Sequence, residues 1–289
     1  MNVSKIFLKL FSFFTSIIMM ICLELNIPCY PMGEKLDMSK FTLTFEDDFS
    51  DELDRSIWSG HYQYGNQTEA RKGSYWNQNL AYTKDGNLII PVIYLEEGMG
   101  GKGAGWYSAG IDTDSDSPNG FSQKFGYFEC RCILPKGADI WSAFWLMNDG
   151  VYVENGTGTD GTEIDIFESD RYEKKLFNNR ISSNLHYDGY GNAHQSMGAK
   201  QFLVNNDPYE EFNTYALEWN ENEYIFYING VETFRTDYGG VSQNEEYLIL
   251  SVEMRGENAV PSQRNSTADS AEFIVDYVRV YQYNEKIAH

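Results

Sequence analysis

Cysteine is scarce in this chain, four in 289 residues, which excludes a scaffold organised by disulfides. Cys130 and Cys132 lie two apart in the strand-like run 127–134. Side chains at i and i+2 of a strand point the same way, and a bond between them would distort it. Both are expected as buried free thiols. Histidine is equally scarce, four residues scattered along the chain, which leaves no cluster for zinc. Positive charge is short too: 22 Lys and Arg stand against 43 Asp and Glu, a net −21. A field of that sign repels phosphate backbones and excludes a nucleic-acid partner. It also favours neutral over heavily sulfated glycans. The longest apolar run, 11–23, is shorter than the ~20 residues a bilayer span needs. With Lys5 and Lys9 before it, residues 1–31 read as a secretory signal peptide and the mature protein as extracellular, with no membrane span. Ile21 is too bulky to precede a lipidated Cys22.

What is abundant is aromatic: 21 Tyr, 18 Phe and 6 Trp, residues that suit strands and also stack on sugar rings. Proline numbers only 7, and no linker or repeat divides residues 41–283. That stretch reads as short strands at 41–45, 87–94, 127–134, 143–147, 162–169, 181–187, 213–219, 224–228, 247–252 and 272–281. Turn signals such as Asp85-Gly86 and Pro135-Lys136-Gly137 separate them. Asn229-Gly230 between alternating apolar runs is a hairpin signal. Segments 96–105 and 149–161 are glycine-rich loops. Many short strands and no long amphipathic helix predict an all-β sandwich of two antiparallel sheets.

One strand carries chemistry. Residues 162–169 read Thr-Glu-Ile-Asp-Ile-Phe-Glu-Ser. Glu163 and Asp165 share a face, and Ile164 and Ile166 take the other. In a regular strand Glu168 would fall on the isoleucine side, where an unpaired carboxylate is costly. One extra residue, a β-bulge near Ile166 and Phe167, restores the phase and aligns three acids on one open face. Such a row suits glycoside cleavage: one carboxylate attacks or stabilises the sugar carbon, and a second, kept protonated by crowding, donates to the departing oxygen. A solvated acidic strand and a calcium site are the competing readings, and calcium prefers loops with backbone carbonyls.

Glu163-Ile-Asp-Ile-Phe-Glu168 resembles the bulged signature of family 16 glycoside hydrolases, which include laminarinases, agarases, carrageenases and endo-β-galactosidases. The flanking order agrees: Phe45-Glu-Asp-Asp-Phe49 and Trp141-Ser-Ala-Phe-Trp145 precede it. Leu217-Glu-Trp219, Tyr227-Ile-Asn-Gly230 and Asp276-Tyr-Val-Arg-Val-Tyr281 follow it. The resemblance implies a single β-jelly-roll domain over residues 41–283 with a concave substrate cleft. It places Glu163 as nucleophile, Asp165 as its orienting helper and Glu168 as general acid/base, with no cofactor for catalysis. It also implies a structural calcium held by the carbonyls of Asp48 and Gly86 and the carboxylate of Asp276.

Around this row, Trp141 and Trp145 alternate onto the face opposite Phe144 and are candidates for a sugar-stacking floor, with core packing as the other reading. Trp219 carries the same balance. Asn184, His186 and Asp188 share a face on the next strand, and His186 is placed to meet substrate or tune Glu168. Asn66 and Glu69 match positions where the laminarinase branch binds sugar, and Trp106 and Tyr107 are further stacking candidates. Ile111 stands where many laminarinases have arginine. The expected activity is endo-hydrolysis by a monomer of an internal β-1,3- or mixed-linkage β-1,3(4)-glucan. An endo-β-galactosidase or galactanase, and a lectin without catalysis, are the alternatives.

Overall fold

The computed structural model describes residues 14–15, 17–25, 27–60, 73–114, 117–137, 139–170, 177–254 and 270–284. Within them the chain forms β1 (Phe41–Asp47), β2 (Ser74–Trp76), β3 (Tyr82–Lys84), β4 (Asn87–Leu95), β5 (Gly105–Ser108), β6 (Gly110–Asp112), β7 (Ser122–Gln123), β8 (Gly126–Ile133) and β9 (Ile140–Met147). There follow β10 (Glu163–Ser169), β11 (Arg180–Tyr187), β12 (Gln195–Ser196), β13 (Lys200–Leu203), β14 (Asn213–Trp219), β15 (Tyr224–Ile228), β16 (Val231–Thr236), β17 (Glu246–Met254) and β18 (Ser270–Tyr283).

These strands make two sheets. One runs β16-β15-β14-β8-β18-β4-β5-β2, with β1 on β18 and β3 on β4. The other runs β12-β11-β10-β9-β17-β6, with β13 on β11 and β7 on β17. Apart from the parallel pair β2 and β5, the paired strands are antiparallel. Period-two alternation sends Leu217, Val278 and Val280 inward from the first sheet. From the second come Phe144, Leu146, Ile164, Leu185, Leu248 and Leu250, and the two sets meet in one core. The architecture is the jelly-roll sandwich expected of the sequence. The Asn229-Gly230 hairpin forms as predicted between β15 and β16, both residues taking positive φ (49° and 69°).

Cys130 and Cys132 are buried and free, side by side on β8. Residues 17–24 form a short helix whose Met19 reaches the core. No helix among the described residues is long and apolar enough to cross a membrane. Trp219 must be reassigned. It lies on β14 of the other sheet, points between the sheets and is fully buried against Phe125, Phe128 and Tyr224. No sugar reaches it.

Candidate active site

β10 sits between β9 and β11 near the middle of the second sheet. Its register against β11 runs regularly through Asp165, opposite Asn184, and then shifts before Glu168 pairs with Ser182. Against β9 the shift falls between Asp165 and Phe167. Two successive residues, Ile166 and Phe167, thereby both enter the core. Phe167 packs on Tyr215 at a centroid distance of 4.4 Å. Glu168 swings back to the face that Glu163 and Asp165 occupy. The bulge frees the carbonyl of Ile166 from regular pairing, and Ser183 Oγ donates to it at 2.8 Å.

The three acids line one cleft of about 290 Å³ with Trp76, Trp141, Ala143, Trp145, Tyr190, Ser251 and Glu253. Burial followed by the charge of Asp165 raises Glu163 to about 7, while His186 and a hydrogen bond from Tyr190 oppose the rise. Burial also raises Asp165 to about 7. Glu168 is pushed well above its usual range, by burial and then by both neighbouring acids, with His186 and a hydrogen bond from Trp141 opposing. The row is thus asymmetric. Glu163 carries the tyrosine hydroxyl on Oε2, a donor that favours its ionised form, and Glu168 has a hydrogen bond from Trp141 and two acidic neighbours.

His186 stands opposite Glu163 on β11, its Nε2 lying 3.4 Å from Asp165 Oδ2 and 4.0 Å from Glu163 Oε1. The tautomer of its neutral form follows from its neighbours. Asn184 Oδ1 accepts from Leu185 N–H at 3.0 Å, so its amide nitrogen faces His186 Nε2 at 2.7 Å and donates to it. Nε2 is then an acceptor, and Nδ1 carries the hydrogen given to His194 Nε2 at 2.8 Å. Asn184 therefore orients the histidine.

Trp141 and Trp145 line the cleft as expected, and Trp145 is fixed by its Nε1–H donating to Ser251 Oγ at 3.1 Å. Ala143, Trp145, Met147 and Ile249 form a small apolar layer on this face, separate from the main core. A second hollow of about 230 Å³ shares Trp141 and Glu168 with the first and continues past Arg180, Ser182, Asn184, His186 and Gln201. Glu168 therefore stands where the two hollows meet.

Other expectations need correction. Trp106 points into the core against Tyr94, and Tyr107, the next residue of β5, stacks on Tyr75 at 4.8 Å. Ile111 is fully buried in the core. Its neighbour Gly110 pairs with the cleft-lining Ser251. Asp188 does not line either hollow. It takes a positive φ of 59° and its carboxylate accepts the backbone N–H groups of Asn155 and Gly156 at 3.1 Å. It ties down the glycine-rich loop leading to β10. Asn66 and Glu69 lie outside the described residues. The sequence reading missed Trp76 and Glu253, which reach the cleft from a three-residue strand and from the far end of β17. It also missed Tyr190, whose signal was an aromatic set between Gly189 and Gly191 just beyond His186.

Of the residues expected to hold calcium, Asp276, the one carboxylate, is ion-paired through Oδ2 with Arg131 across β8 and β18. Among the described residues, Glu163, Asp165 and His186 could bring side-chain donors within 4.8 Å of one another. The Nε2 lone pair of that histidine is already used by Asn184.

The sequence profile described as "Beta-porphyranase A-D, GH16 domain" matches residues 41–283. Endo-1,3-1,4-beta-glycanase ExsH of Rhizobium meliloti (strain 1021) is 24% identical over 268 residues, covering 85% of this chain and 53% of that protein. The chain spans about half the length of the first such relatives. Among solved structures, SCLam, a non-specific endo-beta-1,3(4)-glucanase, superposes with a TM-score of 0.69 at 22% identity, covering 88% of this chain and 96% of that one. The laminarinase catalytic domain of Thermotoga maritima MSB8 gives 0.66 at 25% identity, covering 85% and 100%. With that profile spanning all but the ends of the sequence, the chain belongs to glycoside hydrolase family 16.

Proposed function

We propose that this protein is an exported, endo-acting, retaining glycoside hydrolase that cleaves internal β-1,3 or mixed β-1,3(4) linkages of a glucan. The observation that carries the reading is the bulge in β10, which sets Glu163 and Glu168 on one face of a tryptophan-lined groove. In the first step a Glu163 oxygen attacks the anomeric carbon. The C1–O bond to the leaving sugar breaks, and the proton of Glu168 passes to the departing oxygen. In the second step Glu168, now a carboxylate, takes a proton from water. The hydroxide oxygen bonds to C1, the ester to Glu163 breaks and Glu168 is again protonated. Asp165 lies between the two glutamates and steadies Glu163. The hollows on both sides of Glu168 suit a chain bound across its middle, hence endo-action. The glucan reading is supported by the names of the relatives and by a cleft around Glu163 lined with indole rings and acids.

A β-linked galactan is the second reading. The porphyranase description of the matching profile favours it, as does Arg180 in the second hollow. Laminarin, lichenan, agarose, porphyran and mucin-type glycans, each assayed for new reducing ends with product sizing, separate the two. Oligosaccharides from laminarin or lichenan are expected. Release only from galactans overturns the glucan assignment, and binding without release from any of them overturns hydrolysis.

A further inference from the structure

We propose that Tyr190 is a positioning residue for the nucleophile: its hydroxyl holds Glu163 by Oε2, leaving Oε1 as the atom that attacks the sugar. The inference rests on the hydrolase reading above and assigns a role to a loop that the sequence motif does not include.

Residues 188–194 connect β11 to β12 and send one side chain to the acid row and one to His186. Tyr190 OH donates to Glu163 Oε2, and His194 Nε2 accepts from the imidazole of His186. The loop is built to stay in place. Asp188 binds two backbone N–H groups of the neighbouring loop, and Gly189 N–H donates to Val151 O at 2.6 Å. The Tyr190 ring meets Tyr152 edge-on at 5.7 Å and His194 at 5.7 Å. The phenol therefore stands braced on two sides while remaining 40% exposed on the cleft.

Oε2 is taken by the tyrosine, whereas Oε1 lies 4.0 Å from His186 Nε2, a nitrogen whose lone pair Asn184 already occupies. Attack from Oε1 leaves the phenol bond unbroken. Charged and titratable groups face Glu163 from every side: Asp165 and Glu168 on its own strand, His186 on β11, Glu253 on β17, and Tyr152 and Tyr190 on the flanking loops. Among these, the tyrosine hydroxyl is a neutral donor to the ionised carboxylate, so it favours the charged, nucleophilic form without adding charge to the cleft.

The test compares Tyr190→Phe, which keeps the ring and removes the hydroxyl, with Tyr190→Ala. For Tyr190→Phe, kcat on the best polysaccharide is expected to fall about tenfold, equivalent to one ordinary hydrogen bond to a charged group, with KM within about twofold. The acid limb of kcat/KM should move up by about one pH unit. Tyr190→Ala should lose kcat similarly and raise KM as well. Independently of turnover, carbon-13 NMR of glutamate-labelled protein, with Glu163→Gln to assign the signal, should show the Glu163 carboxyl titrating higher in Tyr190→Phe. An unchanged kcat and an unmoved Glu163 titration would overturn the proposal. If the unmodified protein cleaves no polysaccharide, the hydrolase reading falls, and the NMR titration alone still decides whether Tyr190 holds Glu163 in its ionised form.

Discussion

Ser183 Oγ donates to the main-chain carbonyl of Ile166 at 2.8 Å, and so fastens the one irregular point of β10 to β11. That carbonyl is buried and its regular ladder is interrupted, so losing the donor leaves an unsatisfied polar group. Ser183→Ala should destabilise the protein by about 1–2 kcal/mol in thermal or denaturant unfolding. It should also lower kcat, because a looser bulge mis-aims Glu168. Ser183→Thr, which keeps the hydroxyl, should retain most of both. If Ser183→Ala unfolds and turns over like the original, the bulge is held by Ile166 and Phe167 packing alone.

The raised pKa values fix the shape of the pH–rate profile. In the proposed mechanism Glu163 must be ionised to attack, and burial and Asp165 place it at about 7. Glu168 must keep its proton, and burial with two acidic neighbours holds it well above its usual range. Activity should therefore climb as pH rises through about 7 and decline where Glu168 gives up its proton. The limbs belong to the coupled row rather than to single residues. Asp165→Asn removes the charge beside Glu163 and should move the acid limb down. A profile centred near pH 4 would refute this picture.

Glu168→Ala should cut kcat by about 10²–10⁴ on polysaccharide, the usual worth of a positioned acid/base. The loss should be smaller on aryl β-oligosaccharides, whose leaving group needs no proton. Added azide should then speed turnover of those substrates, because it attacks C1 of the glycosyl-enzyme without base assistance and displaces Glu163. Two inversions at C1 yield a β-glycosyl azide. An α-azide, read by proton NMR, would mean direct displacement and rule out Glu163 as nucleophile.

How far the sequence spoke depends on whether a residue's position is set by its own strand or by a neighbour. Ten strands were readable from alternation and turns, and the bulge was readable because Ile164, Ile166 and Phe167 demand the core while Glu168 resists it. The short strands β2, β5, β6 and β13 carry too few residues for alternation to show, since their pairing partners define them. Trp76 and Trp106, one on the cleft and one in the core, look alike in sequence for that reason. Trp219 failed differently. Its strand was placed correctly, but alternation cannot say which of two sheets a strand joins, so a core ring read as a cleft ring. Tyr190 and Asp188 act through loop geometry, with Asp188 in left-handed backbone. Periodicity carries no signal of that kind.

Glu246 is a buried acid that the chemistry does not use. It begins β17 with its side chain inside the sandwich, accepting weakly from the N–H of Thr162 at 3.4 Å, immediately before Glu163. Burial raises it to about 8, against opposing hydrogen bonds from Ser242 and Thr162. Between the unfolded value near 4.5 and about 8 the folded state keeps this proton while the unfolded chain gives it up. Stability must therefore fall as pH rises across that window. One such group contributes a slope of about 1.4 kcal/mol per pH unit. Glu163, Asp165 and Glu168 add slopes of the same sign, so the separation needs a variant. Glu246→Gln resembles the protonated acid in shape and cannot ionise. Denaturant unfolding from pH 5 to 7.5 should show a shallower decline for Glu246→Gln, by about one proton's worth, with the two proteins diverging most at pH 7.5 in favour of the variant. Parallel curves would mean that Glu246 is ionised in the folded protein, with a compensating donor at the head of β10.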